Sequence, residues 1–392
     1  MNLPAGFRYS AAYAGIRKDT RDDLALIVSD VAASAAAVFT QNRVQAAPVK
    51  VAKAHLAKSQ GAVRAVLVNA GNANCATRTG EAVAEACCVA LAAELGVPAE
   101  QVFPASTGVI GVELDATLIT AKLPGLIAAL SPDRFTDAAR AILTTDTRMK
   151  VASAAVEIGG KTVSIAGMTK GSGMIHPNMA TTLGFLFTDA VIAPMQLKAT
   201  LAEAVGRSYN RISVDGDTST NDTLLLIANG ASGVQPMGED RARFQKALDG
   251  VAASLAEQIV RDGEGARKLI RIEVAGAADE HAAVRIGRAI ANSPLFKTAI
   301  AGSDPNWGRI LSAAGNSGVA FDPAQVSIWL QGTEVCREGL AADFSEDELK
   351  RRLDEPECAV RFVVGGRGRG EARFLTCDLT EKYIEINASY RT

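Results

Sequence analysis

MIHPNMATTLGFLF, residues 174–187, sets a His-Pro-Asn turn signal directly before Ala180, Thr181 and Thr182, which run into an apolar series. A buried strand ordinarily opens on a large β-branched or aromatic residue. This one opens on a small residue and two hydroxyls. Its neighbours set the class of the fold. Just upstream, VASAAVEIGGKTVSIAGM (151–168) has two alternating runs around Gly159-Gly160, a two-residue connection that tolerates positive φ, so it reads as a hairpin. Just downstream, 193–212 reads as a helix and DTLLLIANGAS (222–232) as a strand. A long helix over 240–270 ends near Asp262-Gly263, and LIRIEVAGA (269–277) follows as a strand.

The same alternation extends in both directions. DLALIVSD (23–30) reads as a strand, AASAAAVFT (32–40) as turn and strand, and 47–59 as a helix. AVRAVLVNAGNANC (62–75) is a buried strand ending in a Gly/Asn loop. GEAVAEACCVALAAELG (80–96) is the clearest helix, with Gly96 just past its end. QVFPASTGVIG (101–111) is a strand meeting a loop, and LITAKLPGLIAAL (118–130) and RFTDAARAILT (134–144) read as helices. Beyond residue 280 the pattern stays mixed and closes on YIEINASY (383–390), read as a final strand. No linker, repeat or low-complexity block interrupts it. The class is mixed α/β or α+β, with mostly antiparallel pairing.

Composition bounds the function. A chain of 392 residues exceeds one ordinary core, so two or three domains are expected. The formal net charge of −2 argues against a nucleic-acid or membrane-surface binder. The N-terminus has no apolar core long enough for a signal peptide, and no run approaches the roughly 18 apolar residues of a membrane span. Six cysteines (75, 87, 88, 336, 358, 377) form no C-x-x-C pair and the three histidines lie far apart, so no zinc site is expected. Unpaired thiols suit a reducing, cytoplasmic setting.

Several motifs carry less than they suggest. Gly160-Lys161-Thr162 resembles the end of a phosphate loop, but Ala155 stands where the motif needs glycine. VVGGRGRGEAR (363–373) lacks the dinucleotide spacing, because position 371 is Glu371. SVDGDTSTNDT (213–223) offers Asp215, Asp217 and Asp222 as oxygen ligands for calcium, without the glycine and glutamate of an EF-hand; a hydrogen-bonded polar turn is the better reading. His176, beside a proline, reads as a polar loop residue before a general base.

Thr181 is the residue with chemistry. A threonine hydroxyl is a poor nucleophile unless a base sits beside it. Its own α-amine, with a pKa of about 7.7–8.0, would serve, but only if Thr181 were an N-terminus. Attack of the Thr181 hydroxyl on the Ala180 carbonyl would give an ester that water opens, creating that terminus and dividing the chain into 180 residues and 392 − 180 = 212. On physics alone an Ala-Thr step before a strand is usually structural.

KGSGMIHPNMATTLGF (170–185) closely resembles the cleavage segment of the ornithine acetyltransferase family, also called bifunctional glutamate N-acetyltransferase or amino-acid acetyltransferase. LVNAGNANCAT (67–77), PASTGVIG (104–111), TTDT (144–147), DGDTSTNDT (215–223), DGEGARK (262–268), AGSDPNWGRI (301–310) and the terminal INASYRT resemble further family segments, in family order and over essentially the whole chain. Thr182 departs from the pattern, standing where a larger apolar residue is usual.

The resemblance implies a layered α/β fold of the self-processing Thr-nucleophile type, with a smaller C-terminal α/β domain over about 280–392. It implies an alpha chain of 1–180, a beta chain of 181–392 headed by the nucleophile Thr181 after cleavage behind Ala180, and assembly of two alpha with two beta chains. Thr107 and Gly108 match the oxyanion hole. Thr147, Lys170, Thr181, Glu264, Asn387 and Thr392 match substrate-binding positions, with Thr144 and Thr145 in the same motif as Thr147. The implied reaction is ping-pong acetyl transfer from N2-acetyl-L-ornithine to L-glutamate in the cyclic arginine pathway, needing no cofactor or metal. Acetyl-CoA as a second donor stays open, since no coenzyme A motif is present. The competing readings are a self-processed amidase or aminopeptidase that passes the acyl group to water, and a non-catalytic metal-binding protein.

Overall fold

The computed structural model describes residues 1–176 and 182–389. Its first sheet is built from β1 (Phe7–Ala12), β2 (Leu24–Phe39), β3 (Ala62–Asn72), β4 (Val102–Val109), β5 (Lys150–Ile158), β6 (Lys161–Lys170) and β7 (Leu183–Thr188). The chain then passes through β8 (Ile212–Ser213), which belongs to the second sheet, and returns with β9 (Thr223–Ala228). The order is β4-β3-β2-β9-β7-β6-β5, with β1 on β2. β10 (Leu269–Ala277), β11 (Ser327–Leu330), β12 (Thr333–Arg337), β13 (Leu340–Ala341), β14 (Glu357–Val363) and β15 (Gly370–Cys377) complete the second sheet, ordered β13-β12-β11-β14-β10-β15-β8. Antiparallel pairs predominate; β3–β4, β7–β9, β10–β14 and β8–β15 are parallel.

β7 and β9 read as unbroken apolar runs because both faces of their sheet are covered. Along β9, Leu224 and Leu226 join the helices Pro194–Arg207 and Glu239–Arg261 in one core, while Leu225 and Ile227 join Phe7, Tyr9, Phe135 and Phe187 in another. In that second core the Tyr9 and Phe135 rings meet edge-on at 5.1 Å. A separate core runs from Ile270 to Phe374 on the second sheet, under the helices Glu280–Ala291, Pro294–Ala301, Trp307–Gly315 and Glu346–Leu353.

Gly159 and Gly160 turn the β5–β6 hairpin at φ +59° and +74°, pairing Ile158 with Lys161. Three details differ from the sequence pattern. The strands expected over 23–30 and 32–40 are one strand, β2, whose register shifts between Val28 and Ala33. The helix expected over 118–130 is two short ones, Ala116–Thr120 and Leu123–Ala128, with Pro124 in the first turn of the second. The terminal segment is the helix Glu381–Ser389, not a strand. The Thr380 hydroxyl accepts the Lys382 N–H at 3.2 Å and starts that helix. Among the described residues no helix is long and apolar enough to cross a membrane, and no group of three or more His, Cys, Asp or Glu residues is placed to hold a metal ion.

Candidate active site

A cavity of about 160 Å³ opens where the ends of several strands of the first sheet meet the turns behind the second. Register explains the convergence. The antiparallel β6–β7 pair sets Lys170 opposite Leu183, and the parallel β7–β9 pair sets Leu183 beside Thr223. Lys170, Thr182 and Asp222 therefore reach one end of the sheet together, and all three line the cavity.

β4 brings Thr107 and Gly108 to the same place. Gly108 has φ +132°, and a Cβ there would stand 2.2 Å from the Gly71 carbonyl carbon, so the close pairing of β3 with β4 requires glycine. Asn221 pins this end, its amide donating to the Ala73 carbonyl at 2.7 Å and the Ser106 carbonyl at 2.8 Å. The polar turn 213–223 thus ties β9 to β4.

The opposite wall comes from the turn after Glu239–Arg261 and from the last helix. Glu264 accepts a hydrogen bond from Asn387 Nδ2 at 2.9 Å, and its own N–H donates to the Ser172 carbonyl at 2.9 Å. The Thr380 hydroxyl donates to the Gly265 carbonyl at 2.7 Å, anchoring the helix beside the glutamate. A Cβ on Gly173 would fall 2.5 Å from Glu264 Oε2, so glycine there makes room for the carboxylate.

Charge is unevenly distributed. Lys150, buried, donates to Asp146 at 2.6 Å and to Asp262 at 2.5 Å. Asp146 also accepts the N–H groups of Gly171, at 2.7 Å, and Thr144, at 3.1 Å. Burial would raise the Asp146 pKa, but Lys150, Lys170 and the Gly171 N–H outweigh it and hold it below the usual carboxylate range. Burial lowers the Lys170 ammonium from its ordinary value, against the pull of Asp146, Asp222 and Glu264. Burial raises Asp215 even though it accepts the N–H groups of Met174 at 2.7 Å and Ile175 at 2.8 Å. Burial drives Asp222 well above the usual range, with Lys170 opposing.

Five of the expected positions, Thr107, Gly108, Lys170, Glu264 and Asn387, thus surround one cavity. Thr147 is not in its wall: its N–H at 3.0 Å and its hydroxyl both bond Asp262, while Thr144 and Thr145 line the cavity. Ala180, Thr181 and Thr392 lie outside the described residues. Ile175 and Thr182, on either side of Thr181 in sequence, are both in the wall. His176 bonds Asn292 through Nδ1 at 3.0 Å, a loop contact. The sequence does not single out Asp146 or Tyr383, and it offers Asp222 only as a possible calcium ligand in a polar turn; the signal it carries is the density of hydroxyls and carboxylates in TTDT and DGDTSTNDT.

Comparison with known proteins agrees with the mixed α/β fold. Residues 8–392 match the ArgJ family, and the chain belongs to it. It is 45% identical over 398 residues to the arginine biosynthesis bifunctional protein ArgJ of Nitratidesulfovibrio vulgaris, covering 99% of each chain. It is 49% identical over 394 residues to the protein of that name from Methylococcus capsulatus, covering 99% of this chain and 96% of the relative. The crystal structure of the Bacillus halodurans arginine biosynthesis bifunctional protein argJ aligns at TM-score 0.51 and 40% identity, over 53% of this chain and 98% of that one.

Proposed function

We propose that this protein transfers the acetyl group of N2-acetyl-L-ornithine to L-glutamate through an acetyl ester on Thr181. In this reading Thr181 first frees its own α-amine by breaking the bond to Ala180, leaving an alpha chain of 1–180 and a beta chain of 181–392 that assemble two and two in the cytoplasm. The observation that carries it is the convergence of Thr107, Gly108, Lys170, Glu264 and Asn387 on one cavity whose wall holds residues from both sides of the Ala180–Thr181 bond. Membership of the ArgJ family, with relatives named for arginine biosynthesis, supports the pathway.

The steps follow from the groups present. The Thr181 hydroxyl attacks the acetyl carbonyl, its proton passing to the α-amine. The Thr107 hydroxyl and the Gly108 N–H donate to the developing oxyanion. The nitrogen–carbon bond breaks, the α-amine returns the proton to the leaving nitrogen, and ornithine departs. Glutamate then attacks the ester and leaves acetylated. Lys170 pairs with the α-carboxylate common to both amino acids. Glu264 receives the ornithine side-chain ammonium. Asn387, whose amide both donates and accepts, adapts with Thr392 when a carboxylate replaces that ammonium. Either Thr147 or its neighbours Thr144 and Thr145 add a hydroxyl to this set.

Mass spectrometry of purified protein incubated with acetylornithine tests the reading. The expected result is a fragment beginning at Thr181 that carries one acetyl group. Thr181→Ala should give one uncleaved chain without turnover. A full-length, fully active wild-type enzyme, or acetate release indifferent to glutamate, would overturn it. Substituting acetyl-CoA for acetylornithine in the same assay decides whether the enzyme accepts that second donor.

A further inference from the structure

Asp222 has no role in the steps above, yet it lines the same cavity. Its carbonyl accepts the Thr40 N–H at 2.9 Å, and the Thr223 N–H donates to the Thr182 carbonyl at 2.8 Å. This parallel register fixes Asp222 alongside Thr182, one residue from Thr181. The side chain is 3% exposed and lines the cavity, and its Oδ2 has no hydrogen-bond partner among the described residues. A buried polar oxygen left without a donor costs about 1–3 kcal/mol, more if charged, so this carboxyl is easier to hold as the neutral acid than as the anion.

The groups facing this carboxyl come from several elements. Ser219, on its own turn, and Lys170, from the end of β6, favour its charged form, and Asp215 adds negative charge. Asp146 and Glu264 draw on the same Lys170 ammonium. Asp217 also lines the cavity. Asp146 also has Lys150 at 2.6 Å, so Lys170 is left chiefly to Asp222 and Glu264, with Asp215 close by, and this leaves room for a proton on one of these carboxyls.

We propose that Asp222 stores the proton that the two half-reactions exchange: it takes a proton from the α-ammonium of the amino acid that enters and returns it to the α-amine of the one that leaves. The proposal rests on the acetyl-threonine reading above. The balance closes over one cycle. The resting enzyme holds Asp222 as the neutral acid. Acetylornithine acylates the hydroxyl, ornithine is released as a neutral amine, and the Asp222 proton converts it to the ammonium, leaving a carboxylate. Glutamate enters as an α-ammonium, that carboxylate removes one proton, and the neutral amine attacks the ester. The second proton of the attacking nitrogen returns to the threonine hydroxyl, and Asp222 is again the acid. Burial, which favours the neutral carboxyl, suits the resting state.

The test separates acceptors by whether they need deprotonation. Acetyl-enzyme is formed from acetylornithine, freed of donor, and chased with glutamate or with hydroxylamine, which is already neutral at pH 7. In Asp222→Asn the glutamate chase should slow by about 10²-fold, the hydroxylamine chase should not, and the glutamate deficit should shrink as pH rises towards the amine pKa. Equal slowing with both acceptors, or none with either, overturns the proposal. Should this variant fail to fold or cleave, difference infrared spectroscopy of the wild type decides it. Acetylation should remove a protonated-carboxyl band, and an unchanged carboxyl region overturns the proposal. Absence of any wild-type acetyl-enzyme would instead defeat the reading beneath it.

Discussion

At Gly108 the backbone lies in a region that L side chains rarely adopt, and a methyl group would meet the Gly71 carbonyl carbon. Gly108→Ala should part β4 from β3 at the cavity end and abolish turnover, with a lowered melting temperature as the structural readout. Lys150 offers a second test. It is 1% exposed and is shared by Asp146 and Asp262. Lys150→Met leaves two buried carboxylates without their cation, at a cost of about 3–5 kcal/mol; thermal or urea unfolding measures it. Stability within about 1 kcal/mol of wild type would refute this role for Lys150. Neither Lys150 nor Asp146 stood out in the sequence, because a lysine beside a loop ordinarily remains in water. Gly108, Lys170 and Glu264 were legible through the segments that carry them, not through any local property of their own.

Among elements, the turn at Gly173 and the terminal helix govern Glu264. Gly173→Ala forces the carboxylate aside, and the KM for acetylornithine should rise about tenfold, equivalent to about 1.4 kcal/mol of binding, with little change in melting temperature. An unchanged KM would place the ornithine ammonium elsewhere. The long helix Glu239–Arg261 was legible, since Phe244, Leu248, Val251, Leu255 and Ile259 repeat at helical spacing and all are buried. The helix Glu381–Ser389 was not. YIEIN alternates with period two, and its side chains are largely exposed, so burial supplies little pattern to separate helix from strand. What decides it is Thr380, whose hydroxyl caps the first turn and bonds the Gly265 carbonyl.

For the whole molecule, the cavity makes stability depend on pH in two opposed ways. The folded-state pKa of Asp146 is depressed, so its contribution is present above about 3.9, the unfolded value, and is lost as pH falls through the folded value. That of Asp222 is raised, so its contribution is present below about 3.9 and is lost as pH rises through the folded value. Melting curves should therefore show Asp146→Asn weakening the protein most at neutral pH, with the deficit closing in acid. Asp222→Asn should gain stability on the wild type as pH rises, by about 1–3 kcal/mol, and lose that gain in acid. Parallel curves for either variant would refute the assignment. The alternating elements, the buried strands, the hairpin and the segments of the ArgJ family were readable from the amino-acid order, because periodicity, turn chemistry and motif order are local or linear properties. Which carboxylates lose their water, which threonines of TTDT face the cavity and which neighbour Asp222 acquires could be read only after folding. Those follow from strand register and from the meeting of two sheets, where residues more than a hundred positions apart share one low-dielectric space.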